Sequence, residues 1–275
     1  LSMIRRKLIE GGRFMDLEAG VAIITGSSSG VGAATARQLA EKGCHVLINY
    51  VHNETGARNT QAACEALGVE TLVVRADVAR DDDCRRMAQM ADDKWGRIDA
   101  LVNNAGTTKF CDHANLDGLD AEDFQRIYGV NAVGAFQMTR AVAPAMRRGG
   151  RGAIVNVASI AGVMGVGSSI AYAASKGALI TMGLSLARAL GPEIRVNTVC
   201  PGFIQGDWLE QGMGAETYAR TKAFLENNTP LRLTTTPDNI AEAIVYFLGG
   251  ADVITGETLL LDGGHHLTQM PLARR

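Results

Sequence analysis

The chain has little charge of either sign to spare. Against 29 Asp and Glu residues stand 27 Lys and Arg, a net of −2 over 275 residues. No long basic run occurs, so the electrostatic footprint of a nucleic-acid binder is missing and no nucleic-acid or other polyanionic partner is expected. Cysteine is also sparse. Cys44, Cys64, Cys84, Cys111 and Cys200 are odd in number, far apart and without a C-x-x-C pair, which argues against both a disulfide framework and a zinc knuckle. No stretch approaches the ~20 apolar residues of a membrane span, and the positively charged opening lacks the apolar run of a secretory leader. No membrane partner is therefore expected, and the expected location is cytoplasmic. Aromatic residues are only 5% of the chain, yet 47% of it is hydrophobic and 20% charged, the composition of a globular protein able to bury a full core.

What is present is alternation. From residue 21, short β-branched runs alternate with longer stretches that carry apolar residues at helical spacing, the pattern of βα units around a parallel sheet. Strands are expected at Val21–Thr25, His45–Tyr50, Thr71–Ala76, Ala100–Asn103, Ala153–Ala158, Arg195–Val199 and Thr258–Leu261. Several are nearly all apolar, as strands covered on both faces should be. Helices are expected near 31–42, 54–67, 81–95, 121–148, 170–190 and 238–248, the last opened by Pro237-Asp238 in the manner of a helix start. The expected fold is α/β: one doubly wound, seven-stranded parallel sheet with helices on both faces. Residues 1–19 read as an N-terminal extension, 20–264 as a single domain and 265–275 as a tail. Residues 203–235, rich in Gly, Thr and polar side chains, interrupt the alternation and read as a lid or binding lobe.

Thr25-Gly26-Ser27-Ser28-Ser29-Gly30-Val31-Gly32 follows the first strand and opens the first helix, where backbone N–H groups and the helix dipole favour a pyrophosphate. Gly26 permits the tight turn, Gly30 removes a side chain where phosphate approaches, and Gly32 allows helix to pack closely on strand. The same residues also fit the G-x-S-x-G nucleophile elbow, with Ser28 as nucleophile and Asp238 or Asp252 with His265 or His266 to complete a triad. Against that reading, the elbow falls on the very first strand and no HGGG-type oxyanion motif is present.

Tyr172-Ala173-Ala174-Ser175-Lys176 sets a phenol and an ammonium four residues apart, on one face of a helix. A phenol titrates near ~10, and a neighbouring cation favours the phenolate, so the pair suits general acid/base work. An exposed i,i+4 pair is the plain alternative. Ser159, at the carboxyl end of the fifth strand, changes the balance. Thr25, Asn49, Asp77, Asn103, Ser159 and Pro201 all fall at expected carboxyl ends of strands, the edge beyond which open parallel sheets bind ligands.

These residues resemble the short-chain dehydrogenase/reductases over about 20–264. TGSSSGVG at 25–32 is similar to that family's cofactor turn, Asn103-Asn104-Ala105-Gly106 to its fourth-strand motif, and Asn131, Ser159, Tyr172 and Lys176 to its catalytic tetrad; Pro201-Gly202 and Leu261-Asp262-Gly263-Gly264 match as well. The resemblance implies a dinucleotide-binding and catalytic domain, with hydride transfer between a nicotinamide and a carbonyl or secondary alcohol. It implies that Tyr172 exchanges a proton with the substrate oxygen and that Ser159 hydrogen-bonds the same oxygen. Lys176 would lower the tyrosine pKa and hold the nicotinamide ribose, and Asn131 would position a water. Cofactor contacts are expected from Gly26, Ser28, Ser29, Gly30, Val31, Asn49, Tyr50, Asp77, Val78, Asn104, Ala105, Gly106, Tyr172, Lys176, Pro201, Gly202 and the Ile204 backbone, with Asp77 and Val78 at the adenine and Asn103 beside the ribose. Asp81 is the expected N-cap of the following helix.

No acid stands at the end of the second strand, which reads Asn49-Tyr50-Val51-His52. A carboxylate there would select NAD, so NADP is the expected cofactor, with NAD possible. Ser27, Ser28 and Asn49 are candidate donors to a 2′-phosphate, and His52 or Arg75 a source of charge. The chain looks closest to the 3-oxoacyl-[acyl-carrier-protein] reductase branch, and the family implies a homo-oligomer, dimer or tetramer, built on the helices at 121–148 and 170–190. A catalytically silent nucleotide-binding regulatory protein is the alternative from another class. No metal is expected: His265 and His266, read as adjacent strand residues, point different ways and no acidic cluster joins them. Where the family commonly reads P-G-x-I-x-T, this chain has Gly206 in place of threonine. Mobility of 205–229 and tighter cofactor binding by Gly206→Thr are the expectations that follow.

Overall fold

The computed structural model describes residues 17–268. Of the expected N-terminal extension, residues 1–16 lie outside the described part, as do 269–275 of the tail. All seven expected strands form, within one or two residues of the expected bounds: β1 (Val21–Ile24), β2 (His45–Tyr50), β3 (Thr71–Arg75), β4 (Ala100–Asn103), β5 (Gly152–Val157), β6 (Ile194–Pro201) and β7 (Thr258–Leu261). They make one sheet in the order β3-β2-β1-β4-β5-β6-β7, and every pairing is parallel. The order reverses between β1 and β4, so the crossovers leave in opposite directions there and open a crevice beyond the carboxyl ends of the strands.

The apolar runs explain the layering. Successive residues of a strand face opposite sides. Ala22, Ile24, Val46 and Ile48 join one core with α1 (Gly30–Ala40), α2 (Glu54–Glu65) and α10 (Pro237–Gly249). Ile23, Leu47, Leu101 and Ile154 join the other with α3 (Asp81–Trp95) and α5 (Ala135–Arg148). Local signals fix the helix starts. Thr236 and Asn239 form a capping box that spans Pro237, and Asn53 accepts from Gly56 N to open α2. The N-cap of α3 is Arg80 rather than Asp81, which sits inside the first turn with Asp82 and Asp83; the three carboxylates favour that end through the helix dipole instead of by capping.

One further expectation is corrected. The single helix at 121–148 is α4 (Ala121–Tyr128), a π-helical segment Gly129–Gly134 and then α5. The lobe after β6 is helical, with α8 (Asp207–Met213) and α9 (Ala215–Asn228). A short turn, α6 (Ala161–Met164), precedes α7 (Ile170–Leu190). By length and composition α7 could cross a membrane, but it packs on β6 and α6 and carries Tyr172 and Lys176 into the crevice.

Candidate active site

The glycine-rich turn is held from below. Thr25 Oγ1 accepts from the amides of Asn104 (3.0 Å) and Ala105 (2.9 Å), and Asn104 Nδ2 donates to Thr25 O (2.9 Å) and Gly26 O (3.0 Å). Asn104 and Ala105 thus fasten the turn to the end of β4. A Cβ at Gly32 would meet Gly26 O at 2.5 Å and Asn104 Nδ2 at 2.6 Å, so α1 can approach only because that position is bare. Gly30 has φ 54° and nothing within 4 Å of where a Cβ would stand. Ser29 is the N-cap of α1, extended and without a side-chain cap bond, which leaves the first-turn amides open to an anion. Ser28 is half-buried and Ser29 exposed; Val31 is buried in the core beneath them. These features fit a dinucleotide pyrophosphate.

The far end of the crevice opens a recess of about 320 Å³ lined by Val51, Arg75, Ala76, Asp77, Arg80 and Asp83, where an adenine fits. Asp77 accepts from Ala79 N (3.0 Å) and gives its amide to Asp83 (2.9 Å), while Val78 is buried against Gly134. Four expectations change here. Asn49 Oδ1 accepts from Gly26 N (3.0 Å) and its Nδ2 donates to Ala76 O (2.9 Å), so it braces the turn instead of facing a phosphate. Ser27 donates to Ile24 O (2.7 Å) and accepts from Asn49 N (2.9 Å). Asn103 donates to Asn156 Oδ1 (2.9 Å) and ties β4 to β5 rather than lining a ribose. The Tyr50 ring belongs to the core, which leaves only its backbone at the strand end.

Ser159, Tyr172, Lys176 and Asn131 converge beyond β4 and β5. Ser169 caps α7 by accepting from Tyr172 N (3.2 Å), which fixes where the helix begins and so which face Tyr172 and Lys176 share. The Ser159 hydroxyl stands beside the Tyr172 phenol; its Oγ donates to Pro201 O (3.4 Å) and accepts from Ala161 N (3.1 Å). Lys176, only 4% exposed, donates from Nζ to Val157 O (2.8 Å) and lies 5.6 Å from the Tyr172 ring centre. A Cβ at Gly106 would stand 3.5 Å from Asn131 Oδ1 and 3.6 Å from Lys176 Nζ, so this bare residue forms a floor between them. Burial pushes the Tyr172 phenol up to about 12, with the neighbouring Ser159 hydroxyl acting the other way. Burial also pushes Lys176 down to about 8. The ammonium gives its hydrogen bond to Val157 O, and loss of water is the largest influence on both groups.

Asn131 supplies the reason for the π-helical segment. Its Oδ1 accepts from Thr107 N (2.8 Å), and its Nδ2 donates to Thr107 O (3.0 Å) and to Ser175 Oγ (2.9 Å). Ser175 in turn donates to Tyr172 O (2.7 Å). The widened turn aims the amide at both the loop after β4 and α7.

After Pro201 and Gly202 the chain enters the lobe. Gly202 N donates to Leu261 O (2.9 Å), and a Cβ there would lie 2.7 Å from Asp262 Cβ. Ile204 bridges Thr235, but the two bonds run from Gln205 N to Thr235 O and from Thr235 N to Phe203 O, so the bridge passes over the Ile204 amide. Gly206 has φ 143°, a conformation that threonine adopts only with strain; the glycine is required by the chain's path and is not a lost donor. His265 and His266 lie on a 3₁₀ turn, not a strand. His266 Nδ1 bonds Asp262 (2.9 Å) and Asp238 pairs with Arg37, so a Ser28 triad through those groups is not assembled.

Sequence reasoning missed Ser169, Ser175, Thr107, Phe110 and Trp208. The Trp208 ring lies 6.2 Å from Tyr172 and 5.8 Å from Phe110. No periodic pattern marks these residues; a serine before a helix was the one available signal, for Ser169.

The family model described as enoyl-(acyl carrier protein) reductase matches residues 26–266. The chain is 41% identical over 250 residues, 91% of its length and 97% of the relative's, to the granaticin polyketide synthase protein of Streptomyces violaceoruber described as ketoacyl reductase 2. It is 36% identical to the 3-oxoacyl-[acyl-carrier-protein] reductase of Synechocystis sp., covering 90% of this chain and 97% of that one. The NAD+-bound crystal structure of a xylitol dehydrogenase superposes with a TM-score of 0.83 at 27% identity, covering 91% of this chain and all of the other. With its parallel sheet, its glycine cradle and this likeness along nearly its whole length, the chain belongs to the short-chain dehydrogenase/reductase family of NAD(P)-dependent oxidoreductases acting on CH–OH and C=O groups.

Proposed function

We propose that the protein reduces a 3-oxoacyl-type carbonyl, prefers NADP(H), and works as a homo-oligomer. The observation that carries the reading is the placing of the Ser159 hydroxyl beside the Tyr172 phenol at the carboxyl end of β5, with Lys176 buried behind them. Two hydroxyls on one oxygen suit a carbonyl better than the carbon–carbon double bond named in the family model's description. The bound nicotinamide supplies or accepts the hydride. Tyr172, held neutral by burial, donates its proton to the carbonyl oxygen while Ser159 orients that oxygen. Lys176 is the cation that balances the phenolate left behind, and Asn131 fixes the floor at Thr107 and, through Ser175, the backbone of α7. Asn104 and Ala105 hold in place the turn in which Gly26 and Gly30 cradle the pyrophosphate.

The NADP preference rests on β2, which ends without a carboxylate. Ser28, His52, Arg75 and Arg80 are the groups left to meet a 2′-phosphate once Ser27 and Asn49 are set aside. The oligomer reading rests on the outward apolar Phe124, Val133 and Phe136 along the stretch 121–148. The test is a spectrophotometric assay of NADPH and NADH oxidation with a 3-oxoacyl thioester, beside titration of both cofactors by fluorescence. Turnover with NADPH at the higher kcat/KM supports the reading; cofactor binding without turnover on any ketone would leave a silent nucleotide-binding protein, and equal or better kcat/KM with NADH removes the NADP preference.

A further inference from the structure

The region facing Tyr172 is built from rings, in a chain with few of them. Trp208, one of only two tryptophans, is 50% exposed although its ring lies 6.2 Å from that of Tyr172. On its other side stands Phe110, with ring centres 5.8 Å apart and planes at 57°. The seat of this arrangement is specific. Gly212 on α8 lies so close to Phe110 that a Cβ there would come within 2.0 Å of the ring. The bare glycine therefore lets α8 lie on Phe110, and one turn earlier in the helix Trp208 is directed at Tyr172.

Several polar side chains from the segments around this wall are engaged with one another. Thr108 and Ser168 share a hydroxyl–hydroxyl bond of 2.7 Å. Gln205 donates to Thr234 (3.0 Å) and accepts from Lys222 (3.3 Å), and Tyr218 OH accepts from Gly206 N (3.2 Å). A polyhydroxylated substrate would need such groups to replace the water on each of its hydroxyls. A flat ring needs only the faces of Trp208 and Phe110.

We infer that Trp208 and Phe110 form an aromatic wall that selects a 3-oxo substrate whose ketone lies on or beside a planar ring, over a linear acyl chain or a polyol. The inference rests on the proposed carbonyl reduction, but the wall itself is testable without turnover. The other tryptophan, Trp95, stacks on His45 at the amino-terminal edge of β4 and is remote from the crevice, so ligand-dependent fluorescence belongs to Trp208.

The experiment compares the wild type with Trp208→Ala and Trp208→Phe on two ketones, a bicyclic aryl ketone and a small linear 3-oxoacyl thioester, with saturating NADPH. Wild type is expected to show at least a tenfold lower KM for the bicyclic ketone. Trp208→Ala should raise that KM tenfold or more with kcat within about threefold, Trp208→Phe should retain most of the affinity, and the thioester KM should shift less than threefold. In parallel, the bicyclic ketone should quench fluorescence in the wild type and not in Trp208→Phe. Equal KM for the two ketones in the wild type, an equal KM rise for both in Trp208→Ala, or absence of quenching overturns the wall. Cofactor binding and ring quenching without turnover would instead overturn the reductase reading and leave the ring site standing.

Discussion

Lys176 gives the most quantitative handle on the site. Its folded-state pKa of about 8 lies below the ordinary 10.5 because the ammonium has lost its water. The sign is opposite to that of a lysine gaining a partner. Below about pH 8 both folded and unfolded chains carry the proton, and the folded chain bears the full cost of a buried charge. Between about 8 and 10.5 the unfolded lysine stays protonated while the folded one does not, so stability rises with pH across that window. The full difference is about 3 kcal/mol, at about 1.4 kcal/mol per pH unit. Only part of it can be read cleanly. Above about pH 9 the buried thiols of Cys44 and Cys84, each held up to about 12, and of Cys64 and Cys200, each up to about 11, keep protons that the unfolded chain has lost, and stability falls. Tyr172 adds to that fall above about 10. From about pH 7 to about pH 9 the lysine alone contributes a gain of about 1.4 kcal/mol.

The assay is urea unfolding of the wild type and of Lys176→Met at both pH values. The substitution also leaves Val157 O without its donor, but that loss is the same at each pH and cancels in the double difference. The stability of wild type relative to variant is expected to rise by about 1.4 kcal/mol from the lower to the higher pH. A relative stability that does not change within about 0.3 kcal/mol, the usual error of such comparisons, would mean that Lys176 does not titrate in this window and that its hydrogen bond to Val157 O outweighs its burial.

Tyr172→Phe keeps the ring against Trp208 but has no proton to give, so turnover should fall ~10² to 10⁴-fold with cofactor affinity, followed by fluorescence, within a few-fold; residual activity above about a tenth of wild type would remove the phenol from the chemistry. Gly32→Ala drives a methyl group into Gly26 O and Asn104 Nδ2, and a cofactor titration should show at least a tenfold loss of affinity; unchanged affinity would mean that the turn is not the phosphate cradle. Gly206→Thr forces a β-branched residue to φ 143° at a cost of about 1–3 kcal/mol. It should lower the unfolding midpoint and weaken cofactor binding; tighter binding would show that a hydroxyl there matters more than the path of the chain.

The sheet was legible because β1, β2 and β5 are buried on both faces and so nearly uniform in character, and because Gly26, Gly30 and Gly32 punctuate the first turn. The lobe was not. Gly206 and Gly212 look alike in sequence, as two glycines in a polar stretch, yet Gly206 is there for its positive φ and Gly212 for the absence of a side chain against Phe110. The first requirement is local and the second depends on a residue from the loop after β4, which no pattern near 212 reveals.

The same distinction runs through the catalytic constellation. The four-residue spacing of Tyr172 and Lys176 is a local property of a helix, and Ser159 follows from the rule that ligands meet the carboxyl ends of strands, so all three could be read from sequence. Asn131 could be placed only by resemblance, since a polar residue within 121–148 has no periodic signature of function. In the structure it distorts its own helix, closes the loop at Thr107 and reaches Ser175, whose hydroxyl rests on the Tyr172 carbonyl. Those partners lie on two further segments of the chain, the loop after β4 and α7. A residue whose work is to join three segments has no local signal to leave: from the π-helical turn a single side chain meets both backbone groups of Thr107 and the helix that carries the phenol.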